Sequence, residues 1–593
     1  MTVLHNFERG GSCMEPIYAP AYRVVDGCLL ETRNSKQGSY ERKLCNFAPW
    51  IVSEITLDDG VETTTRIRLR GTHQSGRELP EIEIPASELA GFNWLAQHWG
   101  MDCILEVGQS VKDSVRYAIQ TTAEHADRQT VYAVTGWRRI NGEYYFLMPG
   151  DEKRTVRLPG KMQCYRMDQC CSAEDIHAAA QLLSKPVAPA EVIYPLLAFA
   201  FLSPLNHFLK LAGCEPKFVL FLVGKTGSRK STLAALMLSF LGKFTASELP
   251  LSFRDTANSI IHHTFALKDV LTCIDDLHPT CRAEEQRMNG TAQSIMRAYG
   301  DRTGKGRLRA DASPMESRPP QGNALVTAEF LPDIGESGTA RYFALELGSE
   351  DVNLEVLTEF QQAAADGALQ RCMFGYVQWI KERFLCDGDT EKEFLRVLKI
   401  WFEQRRDTFR SSGVMCHGRV PENVAWLQLG MEFFLLFLQE QGIVDDDYCT
   451  QMKERFCNIL HRLARRQAES IDQDKPTHIF VRKLFSLLES GQVYVRSRYE
   501  TSTLLSNSCI GFEDGDWFYL YSDAIHRAVR KLCEEQGETF PISSRTLLKA
   551  LAEEGLIDTA SGQNTKSIRL GGKSRRVICL SKEKAQRIAD GSS

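Results

Sequence analysis

Short apolar runs separated by polar, turn-forming residues mark the middle of the chain. Residues 218–223 (FVLFLV) are continuously apolar, and similar runs lie at 268–276 (KDVLTCIDD), 323–329 (NALVTAE) and 342–347 (YFALEL). Runs of this length are too short for helices and suit strands that are buried on both faces. The pattern therefore predicts a parallel sheet whose strands end along a common edge.

A different pattern occupies the region up to about residue 170, where short alternating segments are separated by polar stretches. Turn-forming sequences such as Asn141-Gly142 favour tight connections between antiparallel strands. The segments that best fit strands are 64–69, 103–107, 131–134 and 144–148. This region is predicted to form a β-rich domain, and it shows no catalytic constellation.

Helical periodicity replaces these patterns in two further regions. Residues 173–213 predict two helices joined through a proline-containing link, which lead directly into the apolar run at 218. Between 351 and 480, apolar residues such as Leu354, Leu357 and Phe360 recur three to four positions apart. We expect a helical lid and further helices there.

The C-terminal end of the chain predicts a compact mixed module. The predicted order is strand 517–521, helix 522–537, helix 543–554, and strands 557–570 and 575–580. Helix, helix and β-hairpin follow one another in a winged helix, which docks a helix in the major groove and rests its wing on the DNA backbone.

Basic residues cluster on the predicted wing, where the DNA backbone would lie. They are Lys566, Arg569, Lys573, Arg575 and Arg576. Their position favours DNA as the partner of this module. The alternative is a winged helix that is used only for protein contacts.

Composition narrows the class of protein. With 593 residues the chain is too long for one hydrophobic core, and its 43% hydrophobic and 25% charged residues are ordinary for a soluble globular protein. A net charge of -5 argues against coating nucleic acid over the whole surface but allows local basic patches. The start of the chain has no apolar secretory segment, and the apolar run 192–202 is too short to span a bilayer.

The 18 cysteines are scattered, without a C-x-x-C pair, which suits free thiols in a reducing cytoplasm. Zinc ligation by Cys164, Cys170, Cys171 and His177 is disfavoured because their spacing fits no common zinc site. We therefore expect a cytoplasmic protein without a disulfide framework and without a membrane partner.

The first apolar run is followed by a sequence with a specific chemistry. Strand, glycine-containing loop, Lys-Ser and helix is the layout of a P-loop, in which backbone N–H groups surround phosphate oxygens. Lys230 would reach the β- and γ-phosphates of ATP, and the Ser231 hydroxyl would bind Mg²⁺. The residues assigned to nucleotide binding are Gly224, Lys225, Thr226, Gly227, Ser228, Arg229, Lys230, Ser231 and Thr232.

This motif has one departure from G-x-x-x-x-G-K-[ST], because Arg229 stands where the second glycine is expected. A side chain at that point could crowd the phosphates or force a different backbone angle. The alternative to ATP binding is a chance Gly-Lys-Ser loop that binds nothing.

The run at 268–276 ends in two carboxylates, as a Walker B strand does. Asp275 would hold Mg²⁺, directly or through water, and Asp276 would orient and polarise the attacking water. Its distance of about fifty residues from the P-loop favours this role over a simple acidic turn.

Two further positions are candidates for a role in hydrolysis. The strand at 323–329 would place Thr327 or Glu329 beside the γ-phosphate, to sense the attacking water. Arg341, just before the last run, could project into the ATP site of a neighbouring subunit and stabilise transition-state charge. Capping of a helix C-terminus is the alternative for Arg341, and Arg419 is a weaker candidate for a second sensor.

Glycines and alternating cations between 300 and 322 predict a hairpin or mobile loop. Lys305, Arg307 and Arg309 would crowd its tip, where each cation could neutralise a DNA phosphate. A solvated basic loop without a ligand is the alternative.

Taken in order, these motifs resemble an AAA+ ATPase. More narrowly, GKTGSRKST, CIDDL, GDRTGKGRLR, VTAE and ARYFALEL are similar to the MCM-like helicases and primase-associated ATPases of phages and integrative elements. That group includes the self-loading helicases of staphylococcal cassette elements. The strongest resemblance covers roughly residues 215–350, and a further likeness in the N-terminal region rests on Thr135-Gly136-Trp137 followed by Tyr144-Tyr145-Phe146. Arg229 departs from the family's usual glycine.

The resemblance implies that ATP is bound between the subunits of a ring, with a hexamer as the expected size. It also implies that a hairpin from each subunit grips DNA in the channel, and Lys305, Arg307 and Arg309 match that hairpin by position. The expected fold is multidomain α/β. Its domains are a β-rich N-terminal domain (1–171), an AAA+ P-loop ATPase core with leading helices and a parallel sheet (172–350), a helical lid and bundle (351–480) and a C-terminal winged-helix DNA-binding domain (481–593).

The function expected from the sequence is that of an ATP-dependent DNA helicase or translocase acting on single-stranded or forked DNA. It would use ATP and Mg²⁺ and serve the replication of a bacterial or phage-borne mobile element. One alternative is a DNA-binding regulator whose nucleotide site is a switch or is degenerate. Another is an initiator or primase-type enzyme, for which the β-rich region lacks a paired-carboxylate motif.

Overall fold

The computed structural model describes most of the chain. The described residues are 16–304, 316–332, 334, 338, 340–414, 419–473, 475–500, 508–536, 538, 540, 542–559, 563–570 and 573–590. They form two compact units, of which the first contains the described residues up to Cys170 together with Phe265–Lys268 and Glu316. The second unit contains the remaining described residues.

The first unit is built on two sheets, a hairpin and a helix. Its strands are β1 (Tyr22–Val25), β2 (Cys28–Ser35), β3 (Gly38–Cys45), β4 (Phe47–Asp58), β5 (Thr63–His73), β6 (Glu78–Pro85), β7 (Asp127–Tyr132), β8 (Gly136–Ile140), β9 (Glu143–Leu147) and β10 (Thr155–Val156), and its α-helix is α1 (Val111–Thr121). Strands β1-β2-β3 form one sheet and β10-β7-β4-β5-β6 form the other. The β-rich character predicted for this region is observed.

Alternation explains the larger sheet of this unit. Every second residue through much of β4 and β5 is buried, as expected for strands with one face on a core. Phe47, Trp94 and Trp99 lie at the centre of that core, with edge-to-face ring contacts. At the β8–β9 hairpin, Asn141 and Gly142 both have positive φ (52° and 91°), as a two-residue primed turn requires.

The second unit has a five-stranded sheet near its beginning. Its strands are β11 (Val219–Val223), β12 (Leu251–Ser252), β13 (Leu271–Leu277), β14 (Asn323–Ala328) and β15 (Tyr342–Glu346). Their order is β12-β13-β14-β11-β15, and every neighbouring pair is parallel. Almost all residues of β11, β13 and β14 are buried, which confirms the parallel sheet predicted from the apolar runs.

Helices surround this sheet and continue beyond it. They are α2 (Ala173–Ala180), α3 (Ala190–Leu202), α4 (Asn206–Leu211), α5 (Lys230–Leu238), α6 (Ala257–Ala266), α7 (Arg282–Asp301), α8 (Leu354–Ala365), α9 (Ala368–Phe384), α10 (Gly388–Ser411), α11 (Val420–Glu440), α12 (Asp446–Gln473) and α13 (Pro476–Glu489). The chain is thus a multidomain α/β protein. Its further division at residues 350 and 480 stays a prediction.

Helix α3 is apolar on every side because it lies inside the second unit. Phe201 stacks on Phe434 of α11 at 3.9 Å, and a Cβ on Gly430 would lie 2.0 Å from the Ala198 carbonyl oxygen. The stretch Ala190–Leu211 is long and apolar enough to cross a membrane, but 94% of its most apolar 18-residue window is buried within the protein. It therefore serves here as a core helix.

A second five-stranded sheet closes the chain. Its strands are β16 (Tyr494–Ser497), β17 (Cys509–Glu513), β18 (Trp517–Leu520), β19 (Lys566–Leu570) and β20 (Lys573–Ser581), in the order β16-β17-β18-β20-β19. The helices between and after the strands are α14 (Ser522–Gln536), α15 (Ser544–Glu553) and α16 (Lys582–Ala589). The predicted succession of strand, two helices and hairpin is observed.

Two local predictions were wrong. The segment 103–107 forms a single bridge between Cys45 and Leu105, because Ile104 and Val107 are exposed and gain no burial from a sheet. The region 173–213 contains three α-helices, since the predicted second helix is interrupted by a 3₁₀ turn at Ser203–Leu205. Pro204 lies in that turn and lacks the N–H that a continuous α-helix would use.

Candidate functional site

A tight loop connects β11 to α5 at the carboxyl edge of the parallel sheet. Gly224 begins this loop, and its N–H donates to the Ala328 carbonyl at 3.1 Å. A Cβ at this position would lie 2.3 Å from the Leu347 carbonyl oxygen and 2.8 Å from the Ser228 hydroxyl. Only glycine fits, and the loop is thereby held against the ends of β14 and β15.

Arg229 ends the loop in a conformation that favours glycine. It is the N-cap of α5, with φ 69° and ψ 22°. A non-glycine residue in this left-handed region costs about 1–2 kcal/mol. The second glycine of the motif is therefore replaced, but the backbone conformation that usually requires it is retained.

Lys230 begins α5 and turns back over the loop. Its Nζ donates to the carbonyl oxygens of Gly224 at 2.6 Å and Lys225 at 3.0 Å. Burial lowers the pKa of the Lys230 ammonium group, and the carboxylates of Glu329, Asp275 and Asp276 oppose that shift. The ammonium group therefore lies over the loop, and it donates to neutral carbonyl oxygens that an anion could replace.

Three oxygen-bearing side chains meet beside Lys230. The Ser231 hydroxyl donates to Asp275 Oδ1 at 2.8 Å, and the Thr327 hydroxyl donates to the same oxygen at 2.5 Å. Ser231 lies in α5, Asp275 in β13 and Thr327 in β14, which pairs with both β11 and β13. The parallel sheet therefore gathers predicted residues that are about fifty positions apart.

Asp276 occupies a second strained position. Its φ is 67°, and the register between β13 and β14 shifts between Ile274 and Leu277. The Asp276 N–H donates to the Thr327 hydroxyl at 3.1 Å, while Arg254 donates to its carboxylate at 3.3 Å. Outliers of this kind cluster at functional sites, where surrounding structure maintains them.

Glu329 and His278 complete one wall of the site, although no sequence motif indicates His278. Glu329 Oε2 lies 2.7 Å from His278 Nδ1, and Glu329 Oε1 accepts a hydrogen bond from the Thr226 hydroxyl. The Glu329 side chain is only 14% exposed. The Glu329 carboxylate therefore links the loop to the end of β13. Arg254, which contacts Asp276, is a second site residue that motif spacing did not indicate.

Several of these residues line an open cleft of 290 Å³. Its lining residues are Thr226, Gly227, Arg229, Lys230, Ser231, Thr232, Asp276, Leu277, His278, Thr327, Ala328 and Glu329. The Ser228 hydroxyl beneath it is buried and has no hydrogen-bond partner among the described residues. Glycine-rich backbone, an ammonium group and the first turn of α5 suit the phosphates of a nucleotide.

The donor set also fits Mg²⁺. Hydroxyl and carboxylate oxygens are the ligands this ion prefers, and it is usually held by one or two carboxylates together with substrate phosphates. Ser231 and Asp275 supply these oxygens. Among the described residues, no group of three or more His, Cys, Asp or Glu side chains could hold a metal by itself.

Arg341 lies at the opposite edge of the same sheet. Its carbonyl accepts from the Val219 N–H at the start of β11, whereas the cleft begins after the end of that strand. Its Nη2 donates to Asp301 at 3.1 Å, and its side chain packs on Gly300. Arg341 and the cleft of its own chain are thus separated by the length of β11, about 13 Å.

Arg419 converges on the same carboxylate. It donates to Asp301 at 3.4 Å and to the Gly300 carbonyl at 3.2 Å. Burial by itself would raise the pKa of Asp301, but the two arginines lower it by a larger amount. The pKa of Asp301 is therefore below its ordinary value. The last residue of α7 therefore gathers two of the arginines that were singled out in the sequence.

The predicted basic hairpin falls largely outside the described residues, and so do Lys305, Arg307 and Arg309. The described residues at its two ends are tied together. Arg302 is almost fully buried and donates to the carbonyls of Pro216, Pro320 and Gly322 at 2.6 to 3.0 Å. Its hydrogen bonds hold the base of this segment beside the entry to β11.

The predicted wing cations are divided between two faces of the β19–β20 hairpin. Because paired positions alternate along the ladder, Arg569 and Arg576 share one face and are exposed. Lys566 is paired with Asp558, and Arg575 lies over the rings of Phe512 and Tyr521. The β19–β20 hairpin therefore has two of these arginines, Arg569 and Arg576, on a common exposed face.

Comparison with known proteins supports the fold. No family model and no curated protein matches the sequence. A solved structure described as the active helicase Cch of SCCmec type IV aligns with a TM-score of 0.57 and 13% identity, over 97% of this chain and 100% of that one. The chain shares the fold of that helicase.

A second solved structure, the apo A form of the C-terminal region of NrS-1, covers 89% of this chain and 96% of its own. Its TM-score is 0.29 and its identity 10%, which are too low to establish a shared fold. Since the identity to Cch is also low, that comparison establishes the fold, and function must be argued from the site.

Proposed function

We propose that this protein is a ring-forming, ATP-dependent DNA helicase or translocase. The observation that carries the proposal is the convergence of Lys230, Ser231, Asp275 and Thr327 at the carboxyl edge of a parallel sheet. Ligands bind at that edge in open α/β sheets. The shared fold with a protein described as an active helicase supports the same conclusion.

In this proposal the 224–229 loop and the first turn of α5 bind the triphosphate. Lys230 exchanges the Gly224 and Lys225 carbonyls for phosphate oxygens, which compensates the burial of its charge. Ser231 and Asp275 hold Mg²⁺, which when bound neutralises charge on the phosphates. Arg229 and Thr232 contribute from the wall of the same cleft.

Hydrolysis then depends on placement and charge stabilisation. Asp276 and Thr327 orient the attacking water, and the hydrogen bond between the Asp276 N–H and Thr327 fixes their relation. The oxygen of water forms the new bond to the γ-phosphorus as the bond to the bridging oxygen breaks, and ADP leaves with that electron pair. Both protons of the water end on the phosphate product, which leaves as H₂PO₄⁻.

A ring follows from the position of Arg341 if this residue acts on ATP. It lies at the amino edge of the sheet and cannot reach the cleft of its own chain, which opens beyond the other end of β11. An arginine supplied by a neighbouring subunit can raise the hydrolysis rate by about 10³–10⁵. We infer head-to-tail subunits, with a hexamer as the expected closed form.

DNA contact is assigned to the segment that contains Lys305, Arg307 and Arg309 and to the C-terminal module. The order β18-β20-β19 after helices α14 and α15 supports a winged helix. Arg569 and Arg576 are the wing residues that face solvent together. The protein would act in the cytoplasm of a bacterium, in the service of a mobile element.

The experiment that tests this function is steady-state ATP hydrolysis by the full chain, with and without single-stranded DNA. We expect DNA-stimulated turnover that falls about 100-fold or more in Lys230→Ala, since a charge contact in the transition state is lost. Lys243→Ala removes an exposed lysine outside the cleft and is the matched control.

The alternative is a DNA-binding regulator whose nucleotide site is a switch, and the strained Arg229 is the observation in its favour. Nucleotide binding without turnover in assembled protein, with or without DNA, would contradict the motor and support the switch.

A further inference from the structure

Arg229 stands out in the cleft because its backbone conformation favours another residue. The chain holds arginine at φ 69°, where glycine would relieve the strain and restore the usual motif. A maintained outlier of this kind points towards function at the place where it occurs. Any such function must come from the Arg229 side chain, which glycine lacks.

The side chain is exposed and lines the cleft next to Lys230 and Thr226. Among the described residues, no carboxylate forms an ion pair with it. The nearby acids have other partners: Asp275 accepts from Ser231 and Thr327, Asp276 from Arg254, and Glu329 from Thr226 while it also contacts His278. Arg229 is therefore an exposed cation on the wall of the cleft, and none of these acids pairs with it.

We propose that the Arg229 guanidinium binds the phosphates of the nucleotide held by its own chain, which rests on the proposed ATP site. A guanidinium group is planar, permanently charged and able to bind phosphate with two parallel hydrogen bonds. Arg229 adds a second cation beside Lys230, so the departure from the motif strengthens phosphate binding.

This assignment and the steric interpretation of Arg229 predict opposite results for one substitution. Arg229→Gly relieves the backbone strain and removes the cation. If the guanidinium binds phosphate, affinity for Mg-ATP falls about tenfold, the effect of losing a charged hydrogen bond. If the side chain only crowds the loop, the glycine variant binds as tightly as the native chain or more tightly.

The measurement is calorimetric titration of the full chain with Mg-ATP, Mg-ADP and inorganic tripolyphosphate. Arg229→Lys should retain part of the affinity, because it keeps a point charge on the same backbone, and Arg229→Ala should lose as much as the glycine variant. Lys243→Ala is the control for loss of an exposed cation. Melting temperatures equal to or above the native value in Arg229→Gly would show that the loss of affinity is not unfolding.

The loss must be similar for Mg-ATP and tripolyphosphate, which share only the phosphates. A loss confined to Mg-ATP would overturn the phosphate contact in favour of one to the base or ribose. Equal or tighter binding by Arg229→Gly would overturn the inference alone. No binding of ATP or ADP by the native chain would instead contradict the proposed function and this inference with it.

Discussion

The two edges of the parallel sheet hold their charged groups in different ways. At the carboxyl edge Lys230 rests on neutral carbonyls, and Asp275 accepts from two hydroxyl groups. At the amino edge Asp301 is paired with two guanidinium groups, those of Arg341 and Arg419. Lys230 and Asp275 at the carboxyl edge therefore have neutral, exchangeable partners, although Arg254 pairs with Asp276 nearby, whereas the amino edge carries a cluster of two arginines on one carboxylate.

Helix α7 runs between these edges. It begins shortly after β13, beside the cleft, and ends at Asp301 after 20 residues, a length of about 30 Å. Neutral partners are easily exchanged for a charged ligand, whereas a carboxylate held by two arginines fixes their positions. In the proposed function, the carboxyl edge receives the nucleotide, and the amino edge holds Arg341 and Arg419 in a fixed arrangement.

The largest effect is expected when Lys230 is substituted in some subunits of an assembly and Arg341 in the others. Lys230→Ala and Arg341→Ala should each lose nearly all ATP hydrolysis, since each removes one side of a shared site. Mixed assemblies of the two variants should regain part of the activity, because some interfaces join an intact cleft to an intact arginine. Hydrolysis is measured before and after mixing under conditions that exchange subunits.

Co-purification of differently tagged chains controls for the formation of mixed assemblies. Proven mixing without any return of hydrolysis would show that the two edges do not act on a common ATP and would remove the reason for a ring.

A smaller effect is expected from adding one methyl group at the amino edge. In Gly300→Ala the new Cβ would lie 2.5 Å from Arg341 Cδ and would push that side chain off α7. We expect turnover to fall about tenfold to a hundredfold, as for other small misplacements of a catalytic group. Affinity for Mg-ATP, measured by calorimetry, should not change, because the cleft lies at the other edge.

Gly290→Ala is the matched control, since it lies in the same helix and its Cβ would meet nothing within 4 Å. Equal turnover in both alanine variants would mean that the placement of Arg341 has no part in hydrolysis.

The smallest effect concerns the pH dependence of stability at Asp301. Its pKa is lowered in the folded protein, so its stabilising effect is complete above the unfolded pKa, near 4, and is lost as pH falls through the folded pKa. Asp301→Asn should lower the melting temperature at pH 7, and the difference from the native chain should shrink below about pH 4.

The size should stay below about 1 kcal/mol, because the Asp301 side chain is 36% exposed and solvent screens its ion pairs. Glu553→Gln is the control, a carboxylate in the last turn of α15 that faces a single exposed lysine at 3.5 Å. A difference that stays constant down to pH 3 would rule out charge as its origin.

Several features of the site were predictable because they depend on local pattern. The run 218–223 fits a buried strand by length and composition, and the structure has β11 at Val219–Val223. The same reasoning located the strands that carry Asp275 and Thr327. Parallel pairing then brings their ends together, so the meeting of these side chains followed from the sequence.

Other features depend on how distant segments pack. No sequence motif indicates His278 or Arg254 in the site. His278 contacts Glu329, which is distant in the chain, and Arg254 contacts Asp276, which lies where the register between β13 and β14 shifts. The cations of the predicted wing are close together in sequence, yet the two-residue period of a strand divides them between two faces of the β19–β20 hairpin.

The sequence by itself determined the parallel sheet, the loop at its edge and the chemistry of Lys230, Ser231 and Asp275, since runs of residues and their spacing specify these locally. Only the tertiary structure decided that Arg229 keeps a glycine-like conformation on the wall of the cleft. It also decided that Arg341 and Arg419 meet on Asp301. The physical reason is that a positive φ and an ion pair between remote residues are imposed by packing around them, which local sequence does not encode.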